Sequence, residues 1–305
     1  MNRQNFLILL ATFTLLVCAT HSCNAKGKDK AKHVVFIGLD GWGAYSLPKA
    51  DMPNVKKLME NGSYTLKKRS ALPSSSAINW ASMFMGAGPE LHGYTEWGSK
   101  TPELPSRVLN KNGIFPTIFQ LLRDARPEAE IGCLYEWEGI KYLVDTLSLN
   151  YYQATPDYNK YPEELCNIAV EYIKEKQPNL LAICFDNPDH VGHTAGHDTP
   201  EYYTKLQELD SYIGRLIQAT KDIGIYEETI FIVTADHGGI DKGHGGKTMR
   251  EMETPFIISG KNIKKKFRFD DMSMMQYDVA SIIASIFNLE QPQVWIGRPI
   301  KSVFK

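Results

Sequence analysis

The chain has 305 residues, of which 43% are hydrophobic and 23% are charged. This composition is typical of a globular protein with a sizeable core, and it excludes a disordered, collagen-like or coiled-coil chain. Lys and Arg number 34 against 35 Asp and Glu, a formal net charge of −1. The basic surplus expected of a nucleic-acid-binding module is therefore absent.

The first 25 residues have the pattern of a secretory signal peptide. Arg3 is the only charge before an apolar run over 6–17, and small and polar residues follow up to Ala25. This arrangement predicts cleavage and a secreted or periplasmic protein. The run is shorter than the ~20 residues of a membrane span, and no later segment is apolar enough for one. An uncleaved N-terminal anchor or a lipid on Cys18 or Cys23 are the alternatives.

Three cysteines follow this leader, at positions 133, 166 and 184. Their spacing matches no zinc ribbon, and Cys184 lies in an apolar run typical of a buried strand. We expect Cys133, Cys166 and Cys184 to be small core residues. A single disulfide among them is the alternative in an oxidising compartment.

A Lys-rich linker over 26–32 precedes a single predicted domain over 33–305. In chain order we predict a strand over 33–40, helices over 53–60 and 115–123, a strand over 130–134, a helix over 163–176, a strand over 179–185, a helix over 200–221, strands over 229–234 and 255–259, and a helix over 277–287. Buried strands that alternate with amphipathic helices indicate an α/β fold. We expect a largely parallel central sheet with helices on both faces.

Residues 88–160 interrupt the alternation and are rich in Tyr, Trp and Pro. We predict an insertion or cap beside the active edge of the sheet. Surface loops that pack on the sheet through their aromatic side chains are an equally good interpretation.

Acids and histidines follow the predicted strands where each strand ends. These residues are Asp40; Asp186, Asp189, His190 and His193; Asp236 and His237; and His244 in a glycine-rich loop. The carboxyl ends of parallel strands meet at one edge of a sheet, and carboxylate with imidazole suits Zn²⁺ or Mn²⁺. A loop Asp is usually a turn former, but the whole set predicts a metal centre.

Ser74, Ser75 and Ser76 precede an apolar stretch that resembles the start of a helix. The N–H groups at a helix start bind anions such as phosphate. A hydroxyl group there is either a helix cap or a metal-activated nucleophile. The residues alone do not choose among the three serines.

The order of these motifs resembles the alkaline phosphatase superfamily, and within it the type I phosphodiesterase/nucleotide pyrophosphatase branch. The resemblance rests on Asp40-Gly41, the Pro53-Asn54 helix, the segment from Pro73 to Asn79, His92-Gly93, Pro188-Asp189 with His193, Asp236-His237-Gly238, and Gly297-Arg298. It runs from about His33 to the C-terminus. It is weakest across 88–160.

The resemblance implies two zinc ions, with Mn²⁺ as an alternative. Asp189, His193 and His244 would hold one ion, and Asp40, Asp236 and His237 would hold the other together with Ser76. Ser76 would be the nucleophile that forms a phosphoserine intermediate. Asn79, three residues on, would bind the phosphate.

Two departures from the branch leave nucleotide selectivity open. Ala77 stands where the branch usually has an aromatic residue after the nucleophile, and Cys184 stands where it usually has a Tyr. Stacking surfaces could instead come from Trp42, Tyr45, Trp80 or Phe185, although core packing is the default for each.

We therefore predict a zinc-dependent phosphodiesterase or nucleotide pyrophosphatase that acts on a small phosphodiester or nucleotide. A phosphomonoesterase is the near alternative, with Lys242 or Lys247 as its cationic group. A non-catalytic binding protein on this fold is a more distant alternative. The serine segment lacks the Pro and Arg of a sulfatase. The sequence does not determine the leaving group or the oligomeric state.

Overall fold

The protein is described here by a computed structural model, which covers residues 29–155 and 163–305. The predicted signal peptide, residues 26–28 of the linker and residues 156–160 of the aromatic-rich region lie outside the described residues.

The described residues form eight strands and nine helices, besides short 3₁₀ turns. The strands are β1 (His33–Leu39), β2 (Gly62–Arg69), β3 (Ile131–Tyr135), β4 (Tyr151–Ala154), β5 (Leu180–Phe185), β6 (Thr229–Thr234), β7 (Glu253–Gly260) and β8 (Phe267–Arg268). The helices are α1 (Pro53–Glu60), α2 (Ser76–Met85), α3 (Pro89–His92), α4 (Ile118–Ala125), α5 (Glu164–Lys176), α6 (Asp189–Thr194), α7 (Pro200–Asp222), α8 (Met249–Met252) and α9 (Asp278–Ile286).

The strands form one sheet in the order β4-β3-β5-β1-β6-β7-β2-β8. The five strands from β4 to β6 are parallel, and β7 runs antiparallel to both β6 and β2. The central strand β1 pairs in register with β5 and β6, so that Val34 lies opposite both Leu180 and Ile230. This confirms the largely parallel sheet.

Helices cover both faces of the sheet, because the central strands carry apolar side chains toward both faces. Val34 and Phe36 of β1 face a core formed with α2, α4 and α9. Val35 and Ile37 face a second core formed with α1, α5 and α7. A strand buried on both faces reads as a continuous apolar run, which is why β1, β5 and β6 could be predicted.

Helix boundaries agree with the predictions to within a few residues. The helix predicted over 53–60 has those bounds. The one predicted from 115 begins at Ile118, because the Thr117 side chain accepts a hydrogen bond from the Gln120 N–H and caps it.

Strands β2, β4 and β8 were not predicted. β2 carries Lys67, Lys68 and Arg69 near its end and therefore lacks an apolar run, yet it pairs with β7 inside the sheet. The pairing is set by tertiary contacts rather than by β-propensity.

Only part of the aromatic-rich region lies outside regular secondary structure. Residues 93–117 form loops, but β3 and β4 continue the central sheet beyond β5. The prediction that the whole of 88–160 is an insertion or cap therefore needs this correction: its second half builds one edge of the sheet.

Cys133, Cys166 and Cys184 are buried free thiols, in agreement with their prediction as core residues. Among the described residues, no helix has the length and apolar character needed to cross a bilayer.

Candidate metal centre and active site

Three neighbouring parallel strands, β5, β1 and β6, end at the same edge of the sheet. The loop after each strand carries predicted ligands. The Asp40 N–H donates to the Phe185 carbonyl (2.9 Å), and the Asp189 N–H donates to the Asp40 carbonyl (3.0 Å). The Gly41 N–H donates to Asp236 Oδ1 at 3.1 Å. These hydrogen bonds fix the three loops to one another.

Gly41 shows why the first loop needs a residue without a side chain. Its φ is +67°, and a Cβ at this position would lie 2.4 Å from Asp189 Oδ1. The glycine thus allows both the left-handed turn and the close approach of Asp189.

Asp189, His193 and His244 form the first group of donor atoms. His193 Nε2 lies 3.0 Å from Asp189 Oδ2, and His244 Nε2 lies 3.6 Å from the same oxygen. The two imidazole Nε2 atoms are 3.2 Å apart. Asp189 and His193 stand one turn apart on α6, which places both on one face of that helix.

His237 lies at the centre of the second group. Its Nε2 is 3.1 Å from Ser76 Oγ, 3.4 Å from Asp40 Oδ1 and 3.3 Å from Asp236 Oδ2. His237 Nδ1 faces the Gly238 carbonyl at 2.8 Å, which orients the ring.

The two groups adjoin at Asp189. A carboxylate oxygen of Asp189 also lies within 4.8 Å of donor atoms of Asp40 and His237. The family resemblance assigned Asp189 to the first group alone, whereas the structure places it within reach of both groups.

The residues fit a pair of divalent cations. Asp40 Oδ1, Asp189 Oδ1 and Asp236 Oδ2 are buried and have no hydrogen-bond partner. Burial, and then the carboxylate of Asp236, raise the pKa of Asp40 well above its usual range. Burial and Asp189 have the same effect on the pKa of Asp236. Carboxylates so close together call for compensating positive charge, and with imidazole they suit Zn²⁺ or Mn²⁺.

The three consecutive serines occupy different positions. Ser74 Oγ donates to the Gly246 carbonyl at 2.6 Å, and Ser75 is the residue before α2. Ser76 is the first residue of α2, and its Oγ alone among the three reaches the donor atoms, through His237 Nε2. Of the three serines, Ser76 is therefore the one whose hydroxyl group adjoins the candidate metal ligands.

Asn79 does not occupy the phosphate-binding position expected of it. Its Nδ2 donates to the carbonyls of Ala71, Pro73 and Ser75, its Oδ1 accepts from the Ala71 N–H, and it is fully buried. Helical side chains lean toward the helix N-terminus, so Asn79 reaches the preceding loop instead of the metal centre. It secures the loop that presents Ser76.

Three supporting residues were not singled out as such from the sequence. The Trp80 Nε1–H donates to Asp40 Oδ2 at 3.0 Å; its spacing of four residues from Ser76 on a helix was the available signal. Lys68 is fully buried and donates from Nζ to the Ala235 carbonyl at 2.7 Å. Gln276 contacts Lys68 Nζ and the Asp236 carbonyl.

The aromatic residues considered as stacking surfaces are mostly core residues. Trp42, Trp80 and Phe185 are at most 1% exposed, and Tyr45 lies beneath the Arg250 guanidinium. Trp97 differs: it is 66% exposed, and its carbonyl accepts from the Ala77 N–H at 3.1 Å. An accessible indole therefore lies in the loop next to the start of α2.

Glu136 is a further buried acid at the same edge. It follows β3 directly, and its Oε2 accepts from the Asp186 N–H at 2.7 Å. Burial raises the pKa of Glu136 from 4.5 to about 8. The same strand-end position that identified Asp40 could have indicated it.

Glu136→Gln should stabilise the protein increasingly as pH rises from about 5 to 8. The folded protein keeps the Glu136 proton to a higher pH than the unfolded chain, so unfolding releases a proton in this window and the parent loses stability. The glutamine keeps an acceptor for Asp186 without the charge. We expect a gain of roughly 2–4 kcal/mol at pH 8, measured by urea unfolding with chelator present.

Glu138→Gln is the matched control, because Glu138 is exposed two residues away. It should leave the free energy of unfolding within about 0.5 kcal/mol of the parent. Parallel pH curves for the parent and Glu136→Gln would contradict the prediction.

The sheet, the acid and imidazole donors at its carboxyl edge and the serine at a helix start define an enzyme fold of the alkaline phosphatase superfamily. The family model for type I phosphodiesterase/nucleotide pyrophosphatase matches residues 34–256. The chain belongs to this family.

Individual relatives are distant. The chain is 24% identical to venom phosphodiesterase 2 of Crotalus adamanteus over 216 residues, 67% of this chain and 26% of the relative. It is 23% identical to bis(5'-adenosyl)-triphosphatase enpp4 of Mus musculus over 221 residues, 69% of this chain and 48% of the relative. The chain thus spans a quarter to a half of the length of these relatives.

Solved structures share the fold. Murine ectonucleotide pyrophosphatase/phosphodiesterase 5, an inactive form in complex with AMP, superposes with a TM-score of 0.74 at 16% identity, covering 90% of this chain and 100% of that one. A 2-O GAG sulfatase superposes with a TM-score of 0.70 at 14% identity, covering 90% and 74%. The fold therefore hosts more than one chemistry, and the reaction must be argued from the site.

Proposed function

We propose that the protein is a secreted or periplasmic two-zinc phosphodiesterase or nucleotide pyrophosphatase that works through a phosphoserine intermediate. The observation that carries this proposal is the position of Ser76. Its hydroxyl lies at the start of α2 and 3.1 Å from His237, in a cluster that contains Asp40 and Asp236.

Asp189, His193 and His244 would hold one ion, and Asp40, Asp236, His237 and Ser76 the other, with Asp189 beside both. When bound, such a metal pair lowers the pKa of a coordinated hydroxyl group and neutralises charge on the phosphoryl oxygens.

Within this frame Ser76 Oγ attacks phosphorus while the bond to the leaving oxygen breaks on the opposite side. The serine proton is released to solvent, and the leaving oxygen takes up a proton. Water then attacks the phosphoserine and gives up a proton to solvent, while the bond between Ser76 Oγ and phosphorus breaks and Ser76 Oγ takes up a proton. Two in-line displacements retain configuration at phosphorus.

The start of α2 supports the developing negative charge. The Ala77 N–H is occupied by the Trp97 carbonyl, so we assign the role to the Ser76 N–H, which points from the first turn of the helix together with the positive end of its dipole. Asn79 contributes by holding the 71–75 loop, through the four hydrogen bonds described above.

A diester is favoured over a monoester because no cationic side chain of the described residues contacts the nucleophile. Among the hydrogen bonds and ion pairs of the described residues, no Lys or Arg side chain contacts Ser76 or the six ligands. Lys242 and Lys247 are exposed, and Lys242 offers His193 only its carbonyl, at 2.9 Å.

We expect the zinc-loaded protein to show a higher kcat/KM for aryl phosphodiesters than for aryl phosphomonoesters. A dianionic monoester would need a cationic partner, and no Lys or Arg of the described part of the chain contacts Ser76 or the candidate ligands. Bis(p-nitrophenyl) phosphate and p-nitrophenyl phosphate, with one leaving group in common, give the comparison. A hundredfold preference for the monoester, about 2.7 kcal/mol in transition-state terms, would instead assign a phosphatase.

Whether the protein prefers nucleotide substrates needs a separate comparison, because Ala77 stands where the family usually has an aromatic residue after the nucleophile. A nucleoside triphosphate, a dinucleotide and a glycerophosphodiester, assayed against the aryl diester, would show whether a base increases kcat/KM. The AMP complex of the murine structural neighbour makes a nucleotide our first choice of substrate.

A further inference from the structure

His197 is a buried histidine close to the metal centre that is not one of the proposed ligands. It lies between α6 and α7, its side chain has no solvent exposure, and neither ring nitrogen has a hydrogen-bond partner. A buried polar group without a partner is costly, and its retention calls for an explanation.

The ring of His197 is enclosed by both ligand-bearing loops. A Cβ on Gly192 of α6 would lie 2.4 Å from the ring, and a Cβ on Gly239, in the loop after β6, would lie 2.3 Å from it. The backbone N–H of His197 also donates to the Asp241 carbonyl at 2.6 Å. The two glycines therefore make room for this side chain between the loop of Asp189 and His193 and the loop of Asp236, His237 and His244.

Within this enclosure His197 Nε2 lies 3.5 Å from Asp189 Oδ1. That oxygen is itself buried and without a hydrogen-bond partner. The other oxygen, Oδ2, is the one that faces His193 and His244. His197 thus places a ring nitrogen 3.5 Å from the oxygen that does not face His193 and His244.

We propose that His197 is a positioning residue for the metal centre: its Nε2–H donates to Asp189 Oδ1 and keeps Oδ2 turned toward His193 and His244. The inference rests on the proposed function, since it concerns an ion held by that group. Hydrogen bonds of this kind to ligating carboxylates orient the ligand, and their loss typically costs 10–100-fold in metal affinity.

The test is zinc affinity, measured by competition with a chromophoric chelator on the full-length protein. The variants are His197→Phe, which fills the space without a donor, and His197→Gln, whose amide can donate to Asp189. We expect His197→Phe to weaken the zinc site of Asp189, His193 and His244 by about 10–100-fold and to affect the other site less. His197→Gln should recover part of the lost affinity.

A second pair of variants covers the case in which His197→Phe does not fold. Gly239→Ala would displace the His197 ring, whereas Gly243→Ala adds the same methyl group in the same loop with nothing within 4 Å. We expect Gly239→Ala to weaken the same zinc site and Gly243→Ala to bind zinc as the parent does.

Melting temperatures with and without zinc separate positioning from packing. A positioning role predicts that His197→Phe reduces the rise in melting temperature on adding zinc more than it lowers the metal-free value. Equal losses of affinity at both sites, or parent-like zinc affinity in folded His197→Phe, would overturn the proposal while leaving the proposed function intact. A parent protein that binds no zinc would refute the proposed function and this role with it.

Discussion

Ser76→Ala should reduce turnover of an aryl phosphodiester by at least about a thousandfold, the scale seen when a catalytic nucleophile is removed. The hydroxyl group is the only one of the three serine hydroxyls that reaches His237. Zinc should largely remain bound, because three protein ligands survive for each ion. Steady-state rates, the zinc content and the yield of covalently labelled protein after acid quench measure the three effects.

Ser74→Ala and Ser75→Ala are the matched controls for this experiment. Ser74 Oγ is engaged with the Gly246 carbonyl, and Ser75 only precedes the helix, so each loss should cost far less than that of Ser76. Near-normal turnover in Ser76→Ala, with turnover abolished in Ser75→Ala, would place the nucleophile elsewhere on the loop.

His244→Ala should remove one zinc ion per chain and most of the activity. His244 Nε2 lies 3.2 Å from His193 Nε2 and 3.6 Å from Asp189 Oδ2, so its loss leaves the first group with two ligands, too few for tight binding. The second group keeps all its members. Metal analysis after dialysis should show about half of the parent content.

His33→Gln is the control for the loss of an imidazole. His33 opens β1 at the opposite end of the strand from Asp40, and its Nδ1 faces the Pro178 carbonyl at 2.8 Å. It should keep the parent's zinc content and rate. Full activity in a preparation free of metal would refute the two-metal proposal altogether.

The sequence determined most of what places the donor atoms. The apolar runs of β1, β5 and β6 end at fixed points along the chain, and Asp40, Asp189 and Asp236 follow those ends. Because a strand buried on both faces must be apolar throughout, its end can be recognised without any tertiary information. The parallel arrangement then brings the following loops together at one edge.

The tertiary structure decided which polar side chains serve the centre directly and which serve its framework. Asn79 has the spacing for a phosphate contact, but its side-chain amide is hydrogen-bonded to the backbone of the loop before the helix. Lys68 lies in β2, a strand without an apolar run, and is nonetheless buried. Side-chain hydrogen bonds of this kind depend on which backbone groups come within about 3 Å, a distance that sequence spacing does not fix.

The shared position of Asp189 and the enclosure of His197 were likewise beyond the sequence. The order of the chain separates His197 from Gly239 by 42 residues (239 − 197), and only the packing of two loops places one against the other. The sequence pattern of one segment indicates which donor atoms that segment carries. Contacts between segments depend on how the sheet aligns the ends of its strands. The candidate ligands were therefore predictable from the strand-end pattern together with the family resemblance, and their supporting contacts were decided by the fold.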